Sequence, residues 1–218
     1  MGGFDIERIK KFINKSYKIC VETGTFRGKG TNNILKLPYL EKVYTIEINN
    51  TLFENACKLF ENNSKVTCLN GDSGEVLKQI SDELNNYDSN LIFWLDAHWS
   101  GDETVDWNNS RWHGYGINTG YKGEKIDKIT SKNQVPLEEE ILCIYENINN
   151  ECLIYIDDYD KIDKKTRQGL KNIWFKGEDW SHLNFNNIFK KIKDRTVFIK
   201  EIRTKNTGQC IIKLKKKV

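Results

Sequence analysis

One recurrence limits what this chain can fold into more than any other feature. A short apolar run ends in an acidic residue and is followed by a stretch with apolar residues at helical spacing. Leu91-Ile92-Phe93-Trp94-Leu95, closing on Asp96, is the clearest case. A run that is apolar at every position suits a strand in a parallel sheet with helices over both faces. Tyr17 to Val21 closes on Glu22, Val43 to Ile46 on Glu47, Val66 to Leu69 on Gly71-Asp72-Ser73, and Cys152 to Ile156 on Asp157-Asp158. Between these runs Asn32 to Leu37, Leu52 to Phe60, Val76 to Leu84 and the stretch from Leu137 to Tyr145 read as helices.

The pattern predicts an α/β fold, a doubly wound Rossmann-like sheet with helices on both faces. Leu183 to Ile192 reads as a further helix. Thr196 to Ile199 and Cys210 to Ile212, joined by Lys205-Asn206-Thr207-Gly208, read as an antiparallel hairpin. The result is a mixed sheet of about seven strands, the last antiparallel. Ligands of such sheets bind outside the carboxyl ends of the strands, so the acidic residues line one functional rim.

The first strand-to-helix turn, Glu22-Thr23-Gly24-Thr25-Phe26-Arg27-Gly28, is a candidate cofactor loop. Its glycines let backbone N–H groups come close to a ligand. The dinucleotide pattern G-x-G-x-x-G is absent, and a carboxylate before the first glycine suits a ligand with a cationic amine. Capping of the following helices would equally place acidic residues at strand ends, most of all at Asp72 and Glu47.

Composition narrows the partners. The formal charge of +3 over 218 residues, with a basic Lys213 to Lys217 tail, points to no nucleic-acid partner. Six cysteines without C-x-x-C spacing read as reduced core residues. No secretory leader and no membrane-spanning run is legible, so no membrane partner and a cytoplasmic location are expected, the host cytoplasm if the source is viral. A homo-oligomer is left open.

The ordered set Glu22-Thr23-Gly24-Thr25-Phe26-Arg27-Gly28, Glu47, Gly71-Asp72-Ser73 and Asp96 resembles class I S-adenosylmethionine-dependent methyltransferases over about the first 160 residues. The resemblance implies a single methyltransferase domain over residues 1–218. It assigns S-adenosylmethionine to Glu22, Thr23, Gly24, Thr25, Arg27 and Gly28 for its methionine part, Glu47 for the ribose hydroxyls, Asp72 and Ser73 for the adenine, with Asp96 alongside. Asp96 with Asp157-Asp158 resembles the three-carboxylate Mg²⁺ or Mn²⁺ site of antibiotic-sugar O-methyltransferases, where strand four ends in Asp-x-Asp. Here the second aspartate of that pair is His98, a residue suited to act as base near neutral pH. Leu95-Asp96-Ala97-His98-Trp99-Ser100-Gly101 also resembles the methyltransferase domain of chlorovirus-type glycan-building proteins.

These resemblances imply O-methylation of a sugar hydroxyl on a glycan or glycoside, with Asp96 and His98 as catalytic residues. A carbohydrate acceptor also fits the segment at about 100–135, an insertion rich in Gly, Asn and aromatic residues. Trp99, Trp107, Arg111, Trp112 and Tyr115 are its candidate acceptor contacts, with His113 and Tyr121 further ones; His182 reads as incidental. The rival classes are a methyltransferase acting on a small molecule, protein or RNA, and a nucleotide- or NAD-binding Rossmann enzyme.

Overall fold

In the computed structural model, which describes residues 6–98, 135–171, 179–203 and 208–218, each apolar run becomes a strand. The described elements are α1 (Ile6–Ile9), β1 (Tyr17–Thr23), α2 (Lys29–Ile34), β2 (Lys42–Glu47), α3 (Asn50–Phe60), β3 (Val66–Asn70), α4 (Ser73–Asn85) and β4 (Asn90–Leu95). After the undescribed insertion come α5 (Leu137–Asn147), β5 (Cys152–Ile156), α6 (Phe185–Lys191), β6 (Thr196–Arg203) and β7 (Gly208–Leu214). The seven strands form one sheet in the order β3-β2-β1-β4-β5-β7-β6. Pairings from β3 through β5 are parallel, and β7 runs antiparallel to both β5 and β6.

The continuous apolar run of β4 divides by period two. Leu91, Phe93 and Leu95 enter one core with Val76, Leu77 and Leu84 of α4 and Leu137, Ile141 and Ile144 of α5. Ile92 and Trp94 enter the other, with Ile9, Ile34, Leu37 and Leu40. All five are buried, and each such burial contributes about 1.5–3 kcal/mol. With no face left for solvent, the run has no polar position.

Boundaries differ from the expected ones where caps decide them. The helix expected from Asn32 begins at Lys29, after Gly28 in the left-handed region, and is only six residues long. The helix expected from Val76 begins three residues earlier, because the Asp72 carboxylate accepts from the Gly74 and Glu75 N–H groups. The hairpin strands β6 and β7 are both longer than their apolar cores, while their connection lies outside the described residues. Among the described residues no helix is long and apolar enough to cross a membrane.

Candidate functional site

Four residues, from β1, the turn after it, α2 and β2, form a hydrogen-bond network. Glu22, at the end of β1, accepts from the Thr31 hydroxyl and, at 2.6 Å, from that of Thr45; Thr45 and Thr25 hydroxyls are 2.6 Å apart. Glu22 is 1% exposed, and its Oε1 faces Gly30, where an added Cβ would lie 2.2 Å away. Glu22 thus acts inward, fixing the loop to the sheet, where the sequence suggested a direct contact with a ligand amine. Burial pushes its carboxyl up to about 7, against the lowering effect of the two threonine hydroxyls.

Gly24 has φ 82°, and a Cβ there would stand 2.8 Å from the Asp96 carbonyl oxygen. The loop therefore lies directly on the end of β4, and the Asp96 N–H donates to the Thr23 carbonyl at 3.2 Å. Arg27 carries its guanidinium 5.5 Å from the centre of the half-exposed Phe26 ring.

Glu47 ends β2 and accepts the Phe26 N–H at 2.8 Å on one oxygen and the Asn49 N–H at 3.0 Å on the other. The Ile48 N–H acts on the same carboxylate, so three backbone donors hold it at the end of β2. Asp72 spends Oδ1 on capping α4, at 3.0 Å from the Gly74 nitrogen. Beside it Glu140 of α5, fully buried, brings its carboxyl to the Ser73 and Thr23 hydroxyls. Burial raises this carboxyl to about 7 as well, opposed by those hydroxyls.

At the ends of β4 and β5 a second group assembles. The His98 Nε2 lies 2.8 Å from Asp158 Oδ2 and 3.9 Å from Asp96 Oδ1. Lys161 brings its ammonium 3.1 Å from the same Asp158 oxygen, and 4.9 Å from the centre of the Trp180 ring. The His98 and Trp180 rings are 5.5 Å apart. Asp158 stands in the left-handed region, φ 52°, at the head of the 3₁₀ turn Tyr159–Lys161, a conformation that costs energy for a non-glycine residue. Burial works against ionisation of Asp158, but hydrogen bonds and charge from His98 and Lys161 outweigh it and hold the carboxyl below the usual range. Asp96 is shifted the other way, well above it, by burial and by the charge of Asp157.

The expected three-carboxylate centre is altered. Asp157 is buried and accepts from Gln209 at 3.4 Å, whereas the donor atoms that lie within 4.8 Å of one another belong to Asp96, His98 and Asp158. Nor are the anions unpaired, since Asp158 already has two cationic or protonic partners on one oxygen. An ion bound through that oxygen would compete with both, and the grouped donors are two carboxylates and an imidazole where three carboxylates were expected.

Trp99, Trp107, Arg111, Trp112 and Tyr115, with His113 and Tyr121, lie outside the described residues. The His182 Nε2–H donates to the Val135 carbonyl at 3.1 Å, tying the approach to α6 to the start of α5. Lys161, Trp180, Glu140, Thr31 and Thr45 are site residues that the sequence pattern does not single out. The Asp158-x-x-Lys161 spacing is the one available signal, since residues three apart eclipse in a 3₁₀ turn.

No family model matches the sequence, and no curated protein matches it. Solved structures do. SMU.1697c of Streptococcus mutans, described as a methyltransferase and solved with S-adenosylhomocysteine, superposes with TM-score 0.53 at 14% identity, over 98% of this chain and 99% of that one. An S-adenosylmethionine-dependent methyltransferase of Aquifex aeolicus gives 0.50 at 11%, over 97% and 90%. Spermidine synthase of Thermotoga maritima gives 0.50 at 11%, over 92% of this chain and 54% of that one. The fold is the Rossmann-like methyltransferase fold. The synthase among these neighbours illustrates that the fold serves more than one reaction.

Proposed function

We propose that this protein is an S-adenosylmethionine-dependent O-methyltransferase whose acceptor is a sugar hydroxyl on a glycan or glycoside. The observation that carries the reading is the pairing of His98 with Asp158 beside Asp96, on the rim that also bears Glu47 and the Gly24 loop. S-adenosylmethionine would run along that rim, its ribose at Glu47, its adenine near Ser73 and its sulfonium toward Asp96. Glu22, Thr25, Thr31 and Thr45 hold the loop from beneath.

In the reaction an acceptor oxygen forms a bond to the methyl carbon as the carbon–sulfur bond breaks, and the sulfur keeps the electron pair and becomes neutral. The hydroxyl proton passes to the imidazole. Asp158, which holds the ring through Nε2, orients it and stabilises the charge it acquires. Asp96, 3.9 Å from the His98 Nε2, would hold the acceptor hydroxyl by a hydrogen bond while its proton goes to the imidazole. Aromatic residues of the insertion would stack on the sugar ring.

A second reading follows from the 4.8 Å grouping of Asp96, His98 and Asp158. Mg²⁺ or Mn²⁺ on those three would supply a Lewis acid for two acceptor hydroxyls, and His98 would then be a ligand and no longer the base. Mass spectrometry of deoxysugar-bearing glycans incubated with labelled S-adenosylmethionine tests the first reading, which expects one added methyl per acceptor sugar. Label on protein, RNA or a catechol, with none on glycans, would overturn the sugar assignment. Repeating the assay in EDTA separates the two readings: turnover survives in the first and disappears in the second.

A further inference from the structure

Lys161 is an unusual residue to find at a strand-end site. Its side chain is only 4% exposed, and burying an ammonium is costly unless it is paired. Its pairing is specific: the ammonium shares Asp158 Oδ2 with the His98 Nε2, at 3.1 and 2.8 Å, and the indole of Trp180 lies beneath it at 4.9 Å. An indole face attracts a cation, and Trp180 is itself 2% exposed, so the ammonium is held from two sides. The 3₁₀ turn that carries Lys161 opens on Asp158 in the left-handed region, and the Lys161 N–H donates to the Asp158 carbonyl at 3.0 Å. Backbone and side chain together lock the two residues in one geometry.

We infer that Lys161 is a positioning residue that serves as the site's own fixed cation. It keeps Asp158 turned to His98 and takes on Asp158 the place that a divalent ion would otherwise fill. The inference rests on the reading of His98 as base. It also accounts for the mismatch at Asp157: with a lysine neutralising Asp158, a third carboxylate is not needed to complete a cation site, and Asp157 is left to accept from Gln209.

Mn²⁺ uptake, followed by electron paramagnetic resonance, tests this without any acceptor. The parent is expected to leave added Mn²⁺ free in solution. Lys161→Met, which keeps the length of the side chain without its charge, and Lys161→Gln are each expected to gain one Mn²⁺ per chain through Asp96, His98 and Asp158. Lys161→Met with His98→Ala should lose that gain. Removing an outer partner of a functional group commonly costs about 10–100-fold, so turnover of Lys161→Met should fall on that scale while S-adenosylhomocysteine affinity is kept. A lysine of merely structural importance would lower stability without creating an ion site. Stoichiometric Mn²⁺ binding by the parent, or binding by neither parent nor variants, would overturn the inference. Failure of the parent to bind S-adenosylhomocysteine would instead count against the methyltransferase reading, and it leaves the Mn²⁺ comparison intact.

Discussion

Replacing Glu140 by glutamine isolates the most unusual electrostatic feature of the cofactor side. The carboxyl is fully buried between α5, the end of β1 and the start of α4, and neither oxygen has a well-aligned hydrogen-bond partner. Burial lifts it from 4.5 to about 7. Between those values the unfolded chain releases the proton while the folded one keeps it, so stability falls as pH rises. The difference of about 2.5 units corresponds to roughly 3 kcal/mol, fully present below pH 4.5 and fully lost above about pH 7. Glu140→Gln has no proton to lose. Relative to the parent it should therefore gain roughly 3 kcal/mol between pH 4.5 and 8, or about 6–12 °C in Tm for a chain of this size. Glu22 and Asp157 tilt the parent in the same direction, burial raising them to about 7 and about 6, so the readout is the difference between the two proteins. Urea unfolding at several pH values across this window gives that difference. Parallel stability curves for parent and Glu140→Gln would refute the reasoning.

Two further substitutions probe separate parts of the rim. Glu22→Ala removes two threonine hydroxyl bonds and opens space beside Gly30. It should cost about 2–4 kcal/mol in urea unfolding, and an unchanged midpoint would mean that the network does not hold the loop. His98→Ala should lower turnover at saturating substrates by roughly 10²–10⁴ with cofactor affinity intact. Near-parent turnover would pass the role of base to Asp96.

The architecture was legible because β4, with helices over both faces, needs an apolar residue at every position from Leu91 to Leu95, and few arrangements other than a central parallel strand call for such a run. The acidic strand ends were legible as positions but not as directions. Glu22 and Glu47 both follow apolar runs, yet Glu22 turns inward to Thr31 of α2 and Thr45 of β2, a convergence that no local pattern reveals. Asp72 is a cap, as local chemistry allowed. Asp157 and Asp158 are neighbours with different partners, Gln209 for one and His98 with Lys161 for the other, a division invisible in the letters. Lys161 and Trp180 meet only because the chain between β5 and α6 folds back on itself, through bridges such as Ile162 to Gly169.

The central claim is that this rim binds S-adenosylmethionine, and calorimetric titration of S-adenosylhomocysteine into the parent and Glu47→Ala tests it most directly. One site per chain is expected in the parent. Loss of the charged acceptor for the ribose diol should weaken binding by about 10–100-fold in the variant, the scale of a hydrogen bond to an ionised group. Absence of binding to the parent, or equal affinity in both proteins, would contradict the account.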